Sequence, residues 1–180
     1  MERLVRTYMH KDRKYRILDI GSYDVNGSYR PLFQNPRWEY EGADLQPGPN
    51  VDIILTDPYS WSLDDDSFDV IISGQAFEHI EFFWLTWGEM ARVLRPGGFI
   101  FLLVPSSGPE HRYPVDCWRF YADGMRALGK LCHLQVLEAE TRWGNPWGDT
   151  IGVFRKQTDM SIIKKFVSAR VVAPIKKLVN

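Results

Sequence analysis

Tyr15 to Ile20, Phe68 to Ser73 and Phe99 to Val104 are nearly continuous in apolar residues, the pattern of strands buried on both faces of a sheet. Trp38 to Asp44 and Val51 to Leu55 predict two further strands between the first and second of these. Glu81 to Leu94 has a helical period instead. Its Phe83, Trp87, Met90 and Leu94 stand 4, 3 and 4 residues apart, forming one stripe to lay on a sheet. Arg95-Pro96-Gly97-Gly98 ends that helix and turns the chain into the next strand. Ala122 to Cys132 predicts another helix, and Leu134 to Thr141 and Asp149 to Arg155 predict two late strands. Strands alternating with helices predict one doubly wound α/β domain over residues 1–155, its seven-stranded sheet mostly parallel with helices on both faces.

Composition narrows this picture only a little. A chain of 180 residues with 44% hydrophobic content is long enough to bury a core without staples. A net charge of −1 gives no reason to expect nucleic acid as a partner. Cys117 and Cys132 form no CxxC pair, and no cluster of acids is visible, so no metal is expected. The opening MERLVRTYMHKDRKY lacks the apolar stretch of a signal peptide, which makes a cytoplasmic enzyme the expectation. Charge is uneven, however. From Arg155 onward seven Lys or Arg face one acid, Asp159. Ile163, Val167, Val171, Ile175 and Leu178 recur there at helical spacing, with Pro174 set to kink the helix. Residues 156–180 therefore predict a basic amphipathic tail. Packing on its own domain or on a sister subunit of a homo-oligomer is the favoured reading. Peripheral contact with anionic lipid or an acidic protein is the sharper one.

Candidate chemistry comes from the order of four pieces: ILDIGSYDVNG, EYEGADL, FDVIISGQAFEHI and VLRPGGFIFLLVP. A strand running into a glycine-bearing turn, then a strand ending on an acid, builds a nucleoside-cofactor site at the carboxyl edge of a parallel sheet. A dinucleotide fingerprint needs glycines at 21, 23 and 26, whereas the chain has Gly21, Tyr23 and Asn26. Tyr23 would keep the backbone from a pyrophosphate, so a nucleotide-dependent oxidoreductase is disfavoured. A sulfonium cofactor has no pyrophosphate and tolerates such a turn.

The ordered set resembles the class I S-adenosylmethionine-dependent methyltransferases, of the type 11 kind, over roughly residues 15 to 155. The run SFDVIISGQAFEHI…EMARVLRPGGFIFLLVP is its most specific part. The resemblance implies a Rossmann-like methyltransferase domain with S-adenosylmethionine as cofactor. It places Asp19 and Gly21 beside the methionine moiety and Asp44, followed by Leu45, on the ribose hydroxyls. Asp57 and Pro58, with Tyr59, fall to the adenine, and Ser73, Gly74 and Gln75 to the place where the methyl emerges. The family continues Gly-x-Gly-x-Gly after the first strand; here Ser22, Tyr23 and Gly27 stand in that turn, and Gly21, Ser22 and Gly27 are the candidate amides for the carboxylate.

The acceptor is approached by exclusion. No Asn- or Asp-Pro-Pro-aromatic motif follows strand four, and no cysteine nucleophile stands there. Oxygen or nitrogen of a small-molecule or glycan-like acceptor remains, with oxygen favoured. Glu78 and His79, just after strand four, and the loop PSSGPEHRYPVDCWRFY, after strand five, would flank the methyl. His111 and His79 are the candidate bases for a neutral hydroxyl. Arg112 and Arg119 would hold an anionic acceptor, and Glu78, Tyr113, Asp116 and Trp118 would shape its site. Against the enzyme stands a cofactor-binding interaction subunit without its own catalysis, suggested by the small size and the basic tail.

Overall fold

The computed structural model describes residues 1–158. Its seven strands are β1 (Tyr15–Ile20), β2 (Trp38–Asp44), β3 (Ile53–Ile54), β4 (Phe68–Gly74), β5 (Leu94–Ser107), β6 (Leu134–Arg142) and β7 (Gly148–Lys156). They form one sheet in the order β3-β2-β1-β4-β5-β7-β6. The pairs among β1 to β5 are parallel, while β7 runs antiparallel to both its neighbours. The strand order reverses between β1 and β4, so the connections leaving their carboxyl ends part in opposite directions and open a crevice there.

Period-two alternation explains the two cores. Leu18, Ile71, Ile100 and Leu102 point to one face, where α2 (Phe83–Val93) lays down Trp87, Met90 and Val93 and α3 (Ala122–Leu131) adds Met125 and Leu128. Ile17, Val70, Ile72 and Phe101 point to the other face, against Leu4 and Val5 of α1 (Glu2–Tyr8), Met9 just after it, and Phe33. Helix α1 has no predicted counterpart. Its seven residues bury only Leu4 and Val5, and Arg3 and Tyr8 tie it to Glu138 of β6 at 2.6 Å each. Tertiary contact rather than a sequence stripe makes this a helix.

Three further features frame the site. No α-helix follows β1, where residues 21–37 carry only a 3-10 turn, Arg30–Phe33. That stretch holds Gly21, Gly27, Pro31 and Pro36 and offers no apolar stripe. Strand β3 shrinks to two residues against five expected, because only Ile53 and Ile54 find partners at the end of β2. The Arg95–Gly98 segment, expected as a turn, belongs to β5 as an irregularity: Phe68 pairs with Leu94, and Val70 next pairs with Phe99. Gly97, at φ +85°, supplies the left-handed residue this detour needs. Among the described residues no helix is long and apolar enough to cross a membrane. Of the basic tail expected over 156–180, everything from residue 159 lies outside the described residues.

Candidate functional site

A cavity of about 540 Å³ opens over the carboxyl ends of β1, β2 and β4, within the size of ordinary cofactor sites (about 300–1,000 Å³). Its near wall is the turn after β1. Gly21 sits there at φ +75°, and a Cβ on it would stand 2.4 Å from the Cβ of Ala76, so only glycine lets this turn pass the one after β4. The Gly21 and Ser22 amides both donate to Ala43 O, at 3.0 and 3.2 Å, and pin the turn to the end of β2. Asp24 Oδ1 accepts the Gly27 amide at 2.7 Å and rounds off the loop.

Asp44 ends β2 on the cavity wall. Its carboxylate takes the amides of Tyr23 (3.1 Å), Leu45 (2.7 Å) and Gln46 (3.3 Å). A carboxylate offers about four acceptor positions, so capacity remains on the cavity side. Asp19 is placed differently. It is buried beneath the turn, outside the cavity lining, and accepts the Tyr40 hydroxyl. Asn50 Nδ2 donates to Tyr40 at 3.2 Å, and Arg30 holds Asn50 Oδ1 and Asp52 Oδ2 at 2.6 and 2.5 Å. This network braces the turn from behind. Burial pushes the Asp19 carboxyl up to about 7, against the opposing pull of the Tyr40 bond.

Of the expected cofactor residues, Gly21, Tyr23, Asp44, Leu45, Pro58 and Gln75 line the cavity together. Ser22 and Ser73 do not: both are buried, their hydroxyls given to Asn50 O and Ile20 O at 3.2 and 2.8 Å. Gly74 lies against the ring of Tyr29, and Gly27 is exposed in the loop. Asp57 is also exposed and outside the lining; its Oδ1 accepts the Tyr59 amide at 2.6 Å. The Tyr59 ring packs edge-on against Phe82 rather than into the cavity. Trp61 lines the cavity instead, with Leu55, Thr86 and Ile80; sequence reasoning missed the first three and had Ile80 only as part of the segment after the fourth strand. Both Trp61 Nε1 and Thr86 Oγ1 donate to Pro58 O, at 3.3 and 3.0 Å, and so fix this apolar end. The apolar-aromatic spacing Leu55…Trp61 after β3 was the available signal.

At the opposite end the loop between β5 and α3 folds down onto the turn Phe77–His79. The Cys117 amide donates to Glu78 O at 2.7 Å, and Trp118 Nε1 donates to Ile80 O at 3.1 Å. His79 Nδ1 meets Val115 O at 2.5 Å. This brings His79 and His111 together, ring centroids 4.9 Å apart and nearly perpendicular, both on the cavity with Arg112 and Tyr113. Glu78 lies behind them, its side chain fully buried and both oxygens without a hydrogen-bond partner. Burial pushes its carboxyl up to about 7. Asp116, Trp118 and Arg119 stand outside the lining. The Arg119 guanidinium, bonded to Asp116 at 2.5 and 2.8 Å, holds that carboxyl well below the usual range. Asp116 in turn accepts the His111 amide at 2.8 Å, so the pair sets the loop that carries His111.

Residues 33–102 match the family model described as a methyltransferase domain, type 11. No curated protein sequence matches the chain. Among solved structures, a SAM-dependent methyltransferase from Methanosarcina mazei superposes with a TM-score of 0.66 at 14% identity, over 87% of this chain and 98% of that one. A 1,6-didemethyltoxoflavin-N1-methyltransferase from Burkholderia thailandensis, with S-adenosylhomocysteine bound, gives 0.63 at 19% identity over 81% and 72%. The [4+2]-cyclase SpnF gives 0.66 at 15% identity over 82% and 76%. Such distant likeness speaks for the fold. Over residues 33–102 the chain is similar to a methyltransferase domain, and over most of its length it has the fold of the structures named.

Proposed function

We propose that this chain is a class I S-adenosylmethionine-dependent methyltransferase, and that it methylates an oxygen of a small-molecule or glycan-like acceptor bound over His79 and His111. One observation carries the reading: the cavity joins the Asp44 wall at one end to the two imidazoles at the other. When bound, S-adenosylmethionine supplies an electrophilic methyl group on a positively charged sulfur.

In this reading Asp44 accepts the ribose hydroxyls with its free acceptor positions, and the backbone around Gly21 meets the amino acid end. Leu55, Pro58, Trp61 and Ile80 form the slot for the adenine. Gln75, held at φ +56° with its Nε2 on Asp149 Oδ1 at 2.9 Å, fixes the β4 terminus where donor and acceptor meet. A neutral hydroxyl must lose its proton to become a good nucleophile, and His79 and His111 are the groups that act on it. Alignment of the reacting atoms supplies the larger part of the acceleration, on the order of 7–11 kcal/mol.

The acceptor class rests on the rim. Tyr113, Tyr121, Trp143 and Trp147 are exposed near the loop that carries His111, and Trp147 stacks edge-on to His111 at 5.0 Å. Exposed aromatic surface beside a cavity that carries two imidazoles suits the apolar faces of a sugar ring. The test is transfer from methyl-labelled S-adenosylmethionine to a panel of hydroxylated and amino acceptors, with product structures assigned by NMR. O-methyl products support the reading; N-methyl products alone contradict it. Cofactor binding without transfer to any member would favour the non-catalytic interaction subunit.

A further inference from the structure

We propose that Glu78, His79 and His111 form a binding site for a divalent first-row transition ion, with Zn²⁺ the best match to one carboxylate and two imidazoles. Glu78 is the residue that most needs a partner. Its side chain is fully buried, and neither oxygen has a hydrogen-bond partner. A cation placed against it would stabilise the ionised form of a carboxylate in that setting. Arg119 attracts the carboxylate from a distance but gives it no hydrogen bond, because its two terminal nitrogens are held by Asp116.

The two imidazoles face the carboxylate at the wrong distance for hydrogen bonds and a suitable one for sharing an ion. His79 Nε2 stands 3.6 Å from Glu78 Oε1, and His111 Nε2 stands 3.9 Å from the same oxygen. All three ligand atoms lie within 4.8 Å of one another. Around a tetrahedral ion with bonds of about 2.0–2.1 Å, neighbouring ligand atoms lie about 3.3–3.5 Å apart, so small side-chain rotations close the site.

The far side of each ring points the same way. His79 donates its Nδ1 proton to Val115 O at 2.5 Å, which leaves the lone pair on Nε2. His111 Nδ1 is buried without a hydrogen-bond partner, 3.4 Å from Asp116 Oδ2, an acceptor held in place by Arg119; a proton on Nδ1, facing that carboxylate, leaves the lone pair on Nε2. Two lone pairs and a carboxylate thus converge on one point. Orienting the ligands through a carbonyl and a carboxylate behind them is how metal-binding histidines are usually fixed.

Both rings line the cavity, which leaves an open position toward a bound molecule. An ion there acidifies a hydroxyl placed on it. This consequence rests on the oxygen-acceptor reading above, and in it the histidines act as ligands rather than as bases.

The experiment is titration of EDTA-stripped protein with Co²⁺, followed by its visible absorption, then displacement by Zn²⁺. The expected result is saturation at one ion per chain, with the intense bands of a four- or five-coordinate site. His79→Ala, His111→Ala and Glu78→Gln should each weaken binding by about 100-fold or more. If Glu78→Gln fails to fold, as judged by thermal melting, the histidine variants carry the test. Absence of saturation by about 1 mM Co²⁺, or equal affinity in the variants, overturns the proposal. A wild type without ion affinity whose His111→Ala variant loses turnover would make the histidine a base, and overturns it too. S-adenosylmethionine binding is measured on the same samples. An intact Co²⁺ spectrum without cofactor binding supports the ion site and counts against the methyl-transfer reading alone.

Discussion

Removing the Asp44 carboxylate should cost most of the affinity for the cofactor. Three backbone amides, from Tyr23, Leu45 and Gln46, orient the group, so it needs no reorganisation to receive a ligand. Two ribose hydroxyls donating to a carboxylate are worth about 1.5–3 kcal/mol each, or about 3–6 kcal/mol together. Part of that is recovered by water in the Ala variant. Asp44→Ala should therefore raise the Kd for S-adenosylmethionine by roughly 10²–10⁴-fold. Asp44→Asn keeps the shape and one acceptor oxygen but loses the charge, and should lie about midway. Calorimetric titration of wild type and both variants reads this directly, with circular dichroism to confirm that the fold survives. A Kd within about threefold of wild type for Asp44→Ala would refute the assignment of this wall to the ribose.

Three further outcomes follow from the bracing of the site. The Asp19 carboxyl titrates near 7 when folded against 3.8 when free, so the native state holds an extra proton between those values and loses stability as pH rises through them. Asp19→Asn should be indistinguishable from wild type near pH 4 and more stable by up to roughly 4 kcal/mol above pH 7, by urea unfolding; a difference independent of pH would contradict the burial argument. Gly21→Ala forces a Cβ to 2.4 Å from Ala76 Cβ at a positive φ; it should cost about 1–3 kcal/mol of stability and at least tenfold in cofactor affinity, and unchanged affinity would count against this turn as the cofactor wall. Lys156 Nζ donates to Ala91 O and Leu94 O, at 2.8 and 2.7 Å, at the end of α2. Lys156→Met should lower stability by about 2–3 kcal/mol in thermal or urea melts, and an unchanged midpoint would show the contact to be idle.

The sheet was legible where burial imposes a pattern. Strands β1 and β2 begin and end as predicted because both lie inside the sheet, with a strand paired on either side. At β3, on the edge, two pairings suffice and the apolar run over-predicts the strand. The Asp44 wall was legible too, since an acid at the end of a second strand has few other reasons to follow a glycine turn. Side-chain directions were not. Asp19 and Asp57 are both acids in family positions, yet one turns inward to Tyr40 and the other outward to its own turn. The meeting of His79 with His111 was hidden for a different reason. It depends on a loop folding back through Cys117, Val115 and Trp118, contacts that no local pattern announces. For the same reason Glu78 reads in the sequence as a polar loop residue, while the fold buries it completely.

Parallel calorimetric titration of the wild-type protein with S-adenosylmethionine, S-adenosylhomocysteine and NADH tests the central claim most directly. Micromolar binding of both sulfur compounds, with no heat from NADH, is the predicted result. Binding of NADH alone, or of none of the three, would contradict the account.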